Sequence, residues 1–141
     1  MSDTDNKTIH FELVSPEEKL ICEPVSMAIV PGVEGELGIG AGHAAFVVAL
    51  KAGAVTLTIG GEERKIFIAG GFADITGEQV TVLAEQATDV ADLDKAEVEQ
   101  KIADLREDIA RAEDGTAKTR AENALALENA KLTVLTGSFA A

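Results

Sequence analysis

Over 141 residues the sequence has no tryptophan and no tyrosine, only five phenylalanines, two histidines and one cysteine. With Cys22 alone, neither an intramolecular disulfide nor a multi-cysteine metal centre is available. His10 and His43 stand in no HExxH or other metal-ligand spacing, so no metal site is expected. No stretch approaches the ~20 consecutive apolar residues that cross a bilayer as a helix. Residues 1–7 are polar and acidic, without the basic flank and apolar run of a signal peptide, and read as a loose cytoplasmic terminus. Basic residues are also scarce: 12 Lys and Arg against 25 Asp and Glu give a formal charge of -13. Such a charge repels phosphate backbones and anionic lipid headgroups, which argues against nucleic acid and leaves membrane association to partners.

Apolar residues nevertheless make up 46% of the sequence, so a globular interior must be built from Val, Ile, Leu and Ala. Residues 8–84 carry strand signals. Ile9, Phe11 and Leu13 alternate with Thr8, His10 and Glu12, as on a strand with one buried face. Val25, Met27 and Ile29 alternate likewise, as do Val55, Leu57 and Ile59. Residues 45–50 form a continuous apolar run suited to a more deeply buried strand. Gly60-Gly61 signals a hairpin and Thr76-Gly77-Glu78 another turn. Seven or more short strands at this spacing predict an antiparallel sandwich or barrel.

The period changes near Thr88. Val98, Ile102, Leu105, Ile109 and Ala112 fall on one helical stripe, with Lys101, Arg106, Glu107 and Asp108 off it, and Asp89 or Asp92 is placed to cap the start. Glu113-Asp114-Gly115-Thr116 supplies a glycine stop and a threonine restart, predicting a second helix over about residues 117–135. That helix is rich in alanine, which buries little area per residue at ~25 cal/mol per Å². The expected fold class is therefore α+β: an antiparallel β-sandwich over residues 1–88 and an antiparallel α-helical hairpin over 89–141, the latter marginal alone and able to detach.

Little in the sequence nominates chemistry. The glycine-rich segment Gly35-Glu36-Leu37-Gly38-Ile39-Gly40-Ala41-Gly42-His43 leads into an apolar strand, lacks GxxxxGK[ST] and GxGxxG, and reads as a turn and bulge region. No serine sits in a GxSxG elbow, and no catalytic carboxylate pair stands out among 25 acids. Gly70-Gly71-Phe72 reads as a bend where two stretches of backbone approach closely. No catalytic, cofactor or metal residue is assigned, and the protein is expected to work by holding other proteins.

Several motifs in order carry a resemblance: Phe11-Glu12-Leu13-Val14-Ser15-Pro16-Glu17, Gly32-Val33-Glu34-Gly35-Glu36-Leu37-Gly38-Ile39, Gly42-His43-Ala44, Leu50-Lys51-Ala52-Gly53, Gly70-Gly71-Phe72-Ala73, Val80-Thr81-Val82-Leu83-Ala84 and Leu93-Asp94-Lys95-Ala96. Together they resemble the epsilon subunit of F-type ATP synthases over nearly the whole sequence. The resemblance implies a β-sandwich and helical hairpin on the central rotor stalk, bound to the gamma subunit and the c-ring, without catalysis of its own. It implies a peripheral location on the cytoplasmic face of the bacterial inner membrane. By position, Glu36, Gly38, Gly42 and His43 would face the c-ring and Ser15 would face gamma. The hairpin would be mobile and regulatory, with the alpha/beta catalytic head as a further partner.

Departures from the family pattern are informative. Gly40-Ala41, Ala45 and Ala52 stand where relatives often have proline, which predicts more flexible loops. Some relatives bind ATP through [IL]DxxRA; Thr116-Ala117-Lys118-Thr119-Arg120-Ala121 keeps the Arg-Ala end and loses the start, leaving Arg120 as the candidate regulatory residue. Residues 89–141 carry 12 acids and 7 bases, so no strong electrostatic latch to an acidic surface is expected. The competing reading is a free-standing module that senses a nucleotide through its hairpin; a small hydrolase is the weakest.

Overall fold

The computed structural model describes residues 8–17, 19–42 and 44–136. Strands come first: β1 (Ile9–Val14), β2 (Lys19–Val25), β3 (Met27–Gly32), β4 (Gly35–Ile39), β5 (Phe46–Leu50), β6 (Gly53–Ile59), β7 (Glu62–Ile68), β8 (Gly71–Ile75), β9 (Gln79–Ala84) and β10 (Ala87–Asp89). A 3-10 turn, Val90–Asp92, leads into α1 (Lys95–Arg111) and α2 (Gly115–Thr136). Backbone proximity divides the protein into two units between Asp89 and Val90.

The strands form one hydrogen-bonded ladder in the order β10-β7-β6-β3-β5-β8-β9-β1-β2, with β4 paired to β3. Every neighbouring pair is antiparallel except β1 and β9, which run parallel. The ladder curls into a sandwich because its two ends meet. Ser26, the single residue between β2 and β3, prolongs the β3–β6 pairing by donating its backbone N–H to the Thr58 carbonyl at 2.8 Å, and the two ends are joined by one side chain. Arg64 on β7 reaches Glu23 on β2 at 3.9 Å and Asp89 on β10 at 3.2 Å.

Alternation fills the space between the layers. Ile9, Phe11 and Leu13 point inward from β1, meeting Val55 and Leu57 from β6, Val80 and Val82 from β9, and Ala73 and Ile75 from β8 in one cluster. The Gly60-Gly61 turn joins β6 to β7 with φ of 57° and 85°, the left-handed angles that a two-residue hairpin demands. The turn at Thr76 is fixed by its own hydroxyl, which accepts the Gln79 N–H at 3.0 Å.

Two expectations for the strands need correction. Across Ser26 the backbone changes layer, so the inward set on β3 is Ala28 and Val30, while Met27 is exposed and Ile29 half-buried. A simple alternation carried through from Val25 therefore lands on the wrong face. Likewise β5 is not deeply buried throughout: Leu50 faces the core, but Val47 is 66% exposed.

In the hairpin the stripe behaves as its spacing predicts: Val98 and Ile102 are buried and Leu105, Ile109 and Ala112 half-buried. The cap is neither Asp89 nor Asp92. Asp94 has extended backbone and its Oδ1 accepts the N–H groups of Ala96 and Glu97 at 2.9 and 3.3 Å, satisfying two of the donors a helix start leaves open. Asp94→Ala is expected to cost the hairpin about 1 kcal/mol, read as faster amide exchange over residues 95–99 with strand amides unchanged; unaltered exchange there would contradict it. Gly115 is not a stop. The backbone leaves α1 where Ala112 turns extended (ψ 129°), and Asp114 then caps α2 by accepting the Ala117 N–H at 2.7 Å, so Gly115 is the first residue of the new helix.

Candidate docking surfaces

Cross-strand register assembles a surface from residues far apart in sequence. On the outer face, Ala49 on β5 stands opposite Phe72 on β8, Phe72 opposite Leu83 on β9, and Leu83 opposite Val14 on β1. Phe72 is 57% exposed and Leu83 50%. Val47 lies two residues from Ala49 on the same face. The row is contiguous and apolar, whereas single exposed apolar residues are ordinary on any surface. Its end widens into a depression lined by Val14, Ser15, Pro16, Phe72, Leu83 and Glu85.

Ser15, read as facing gamma, thus lies beside Phe72 and Leu83, half-buried. Gly71 also lines the depression, and Gly70 and Gly71 adopt φ of 118° and 149° where the backbone bends into β8. A Cβ at Gly71 would collide with the Leu83 carbonyl oxygen, so β8 and β9 come this close only through glycine.

The next row on the same face is polar. Asp74 on β8 is followed by Thr81, Glu12 and Cys22 on β9, β1 and β2. The Glu12 carboxyl is held below the usual carboxylate range, first by a hydrogen bond from His10, with Lys19 and Cys22 acting in the same direction against partial desolvation. Charge therefore borders the apolar row on this side.

Glu36, Gly38 and Gly42 do not converge. Glu36 stands opposite Pro31 near the β3–β4 turn and Gly38 opposite Ile29, both exposed on the outer face of β4. Gly42 lies beyond the far end of that strand, its N–H donating to the Gly77 carbonyl at 3.0 Å. The glycine at 38 leaves the Met27 thioether uncovered: a Cβ there would sit 3.7 Å from its sulfur. Among the described residues, no ion pair neutralises Glu36. His43 lies outside the described residues.

On the hairpin, Arg120 is exposed on α2 between two open depressions. One of them also holds Arg111, whose guanidinium is already paired with Asp108 at 3.3 Å. Sequence reasoning missed an acid on this helix: Glu128 is 6% exposed and meets Lys131 at 3.0 Å, one turn along. Alternation and stripe counting cannot single out one buried acid on an alanine-rich helix, and they equally miss the Phe72–Leu83 row, which needs the strand register.

Residues 8–90 match the family described as "ATP synthase, Delta/Epsilon chain, beta-sandwich domain". Residues 94–141 match the family of the C-terminal domain of the ATP synthase epsilon chain. The protein is 41% identical over 134 residues to the ATP synthase epsilon chain of Chelativorans sp. (strain BNC1), covering 94% of this sequence and 96% of that one. It is 43% identical over 131 residues to the ATP synthase epsilon chain of Mesorhizobium japonicum, covering 92% and 93%. One subunit in the cryo-EM structure of Euglena gracilis mitochondrial ATP synthase, OSCP/F1/c-ring in rotational state 1, superposes with a TM-score of 0.79 at 25% identity, over 88% of this protein and 79% of that subunit. With both units matched in order and relatives aligned over nearly their full length, the protein belongs to the ATP synthase epsilon chain family.

Proposed function

We propose that this protein is a non-catalytic central-stalk subunit that docks its sandwich on the gamma subunit through the Phe72–Leu83 row and on the c-ring through the outer face of β4 and the Gly42 turn, passing rotation between proton flow and ATP synthesis. The observation that carries this is the contiguous, solvent-exposed apolar row beside Ser15. A contiguous exposed apolar row of that kind marks an interaction surface, and covering it by a partner removes it from water. No helix among the described residues is long and apolar enough to cross a membrane, so the proposed attachment to the cytoplasmic face of the bacterial inner membrane runs through these partners. Purified gamma should form a stable one-to-one complex with the full-length protein in light scattering; absence of a complex at micromolar concentrations would defeat the proposal.

The hairpin, in this reading, is a mobile regulatory arm with the alpha/beta catalytic head as its partner. Nucleotide sensing by the hairpin is the competing reading. Arg120 lies on open, shallow surface, and Arg111, which shares one depression with it, is committed to Asp108. ATP titrated into the full-length protein at millimolar concentration is therefore expected to give no saturable heat; a saturable signal lost in Arg120→Ala would instead support the nucleotide reading.

A further inference from the structure

β1 carries His10 and Glu12 two residues apart, on one face of the strand, and both point away from the core. β2 runs antiparallel beside it and sets Cys22 directly opposite Glu12. The three donor atoms stand together: His10 Nε2 lies 3.2 Å from Glu12 Oε2, Cys22 Sγ lies 3.4 Å from His10 Nε2, and Cys22 Sγ lies 3.8 Å from Glu12 Oε2. No two of the donors in this group are further apart than 4.8 Å.

Those separations have a geometric meaning. Zn²⁺ binds imidazole nitrogen and carboxylate oxygen at about 2.0–2.2 Å and thiolate sulfur at about 2.3 Å, at tetrahedral angles. The edges of such a tetrahedron are then about 3.4 Å from N to O, about 3.5 Å from N to S and about 3.6 Å from S to O, from the same bond lengths. Each observed edge lies within a few tenths of an ångström of these values. We propose that His10, Glu12 and Cys22 form a three-donor site for a divalent transition metal of the Zn²⁺ class, with the fourth position open to water.

The donor chemistry selects the metal. One imidazole, one thiolate and one carboxylate suit a borderline-soft ion, whereas Mg²⁺ and Ca²⁺ want all-oxygen shells. Cys22 is exposed, so both the ion and the fourth ligand have access. Lys19 Nζ, 3.7 Å from Glu12 and 54% exposed, is a competing cation with room to swing aside. Loading the site would tie β2, at the end of the ladder, to β1 beside the irregularity between Leu13 and Val14. Binding releases the thiol proton, since only the thiolate ligates. This site does not depend on the docking reading.

The test uses the full-length protein without added histidines, stripped with chelator and titrated with Co²⁺ and then Zn²⁺. The expected result is a thiolate-to-Co²⁺ charge-transfer band with tetrahedral visible bands, saturating at one equivalent, and a matching one-to-one Zn²⁺ isotherm. Cys22→Ser should abolish the band, and both Cys22→Ser and His10→Gln should weaken Zn²⁺ at least about tenfold, since even outer partners of metal ligands are worth that much. Lys19→Gln should strengthen binding about twofold to fivefold by removing the competing charge. Circular dichroism of each variant checks that the strands are intact. No saturable signal, or binding indifferent to both Cys22→Ser and His10→Gln, would overturn the site.

Discussion

Replacing Phe72 and Leu83 together by threonine is expected to weaken binding of the sandwich to the gamma subunit about 50-fold, while the isolated protein stays folded and loses about 1–2 kcal/mol of stability from the half of each side chain that is already covered. Burying a Phe or Leu side chain completely contributes about 1.5–3 kcal/mol. These two already have roughly half of their surface covered, at 57% and 50% exposure, so a partner can add about half of that for each. The sum of about 1.5–3 kcal/mol brackets a factor of about 50 in Kd. Threonine is chosen because it favours strands, so lost affinity cannot be laid to a broken β8 or β9. The sequence has no tryptophan or tyrosine, so calorimetry rather than intrinsic fluorescence is the natural readout. Affinity unchanged in the double variant would place gamma on another face.

Gly71→Ala should be the most damaging single methyl in the sandwich, lowering stability by about 2–6 kcal/mol, because two costs add. At φ of 149° an L side chain is strained, at roughly 1–3 kcal/mol, and the new Cβ meets the Leu83 carbonyl oxygen and the Ala84 Cα, which are backbone. These atoms cannot retreat without opening the pairing of Gly71 with both Leu50 and Ala84, and such overpacking costs about 1–3 kcal/mol more. Gly60→Ala is the control: φ there is 57° and nothing lies within 4 Å of the added Cβ, so only about 1–2 kcal/mol is expected. Urea unfolding followed by circular dichroism gives both numbers, and equal midpoints would refute the close-approach argument.

How much of this was legible in the sequence depends on how far apart the cooperating residues lie. Ile9, Phe11 and Leu13 announce a half-buried strand because the pattern is local, and all three are buried. Gly60-Gly61 announces a hairpin for the same reason. The helical stripe from Val98 to Ala112 is local too. Reading across a layer change fails: nothing in Val25, Ser26 and Met27 says that the backbone turns into the other layer at Ser26. The cap at Asp94 was ambiguous because Asp89, Asp92 and Asp94 are all chemically able to cap, and only backbone angles decide. The parallel pairing of β1 with β9 joins residues about 70 positions apart, beyond any window of periodicity.

The surfaces were less legible than the fold. Ser15, Glu36, Gly38 and Gly42 entered through resemblance, and the structure sets Ser15 in the depression beside Phe72 and Leu83 while spreading the other three along β4 and beyond its end. The apolar row and the His10, Glu12 and Cys22 cluster share a property: each is written across neighbouring strands, so linear spacing hides it. Counting histidines along the sequence could not have found the cluster. Pairing Glu12 with Cys22 does so at once.

If the sandwich grips gamma with the Phe72–Leu83 face, hydrogen exchange compared between the free protein and its complex with gamma registers the contact residue by residue. New protection is expected over residues 14–17, 71–74 and 81–85, the segments that build the row and its depression. Protection confined to residues 95–136, with those three segments exchanging as fast bound as free, would contradict it.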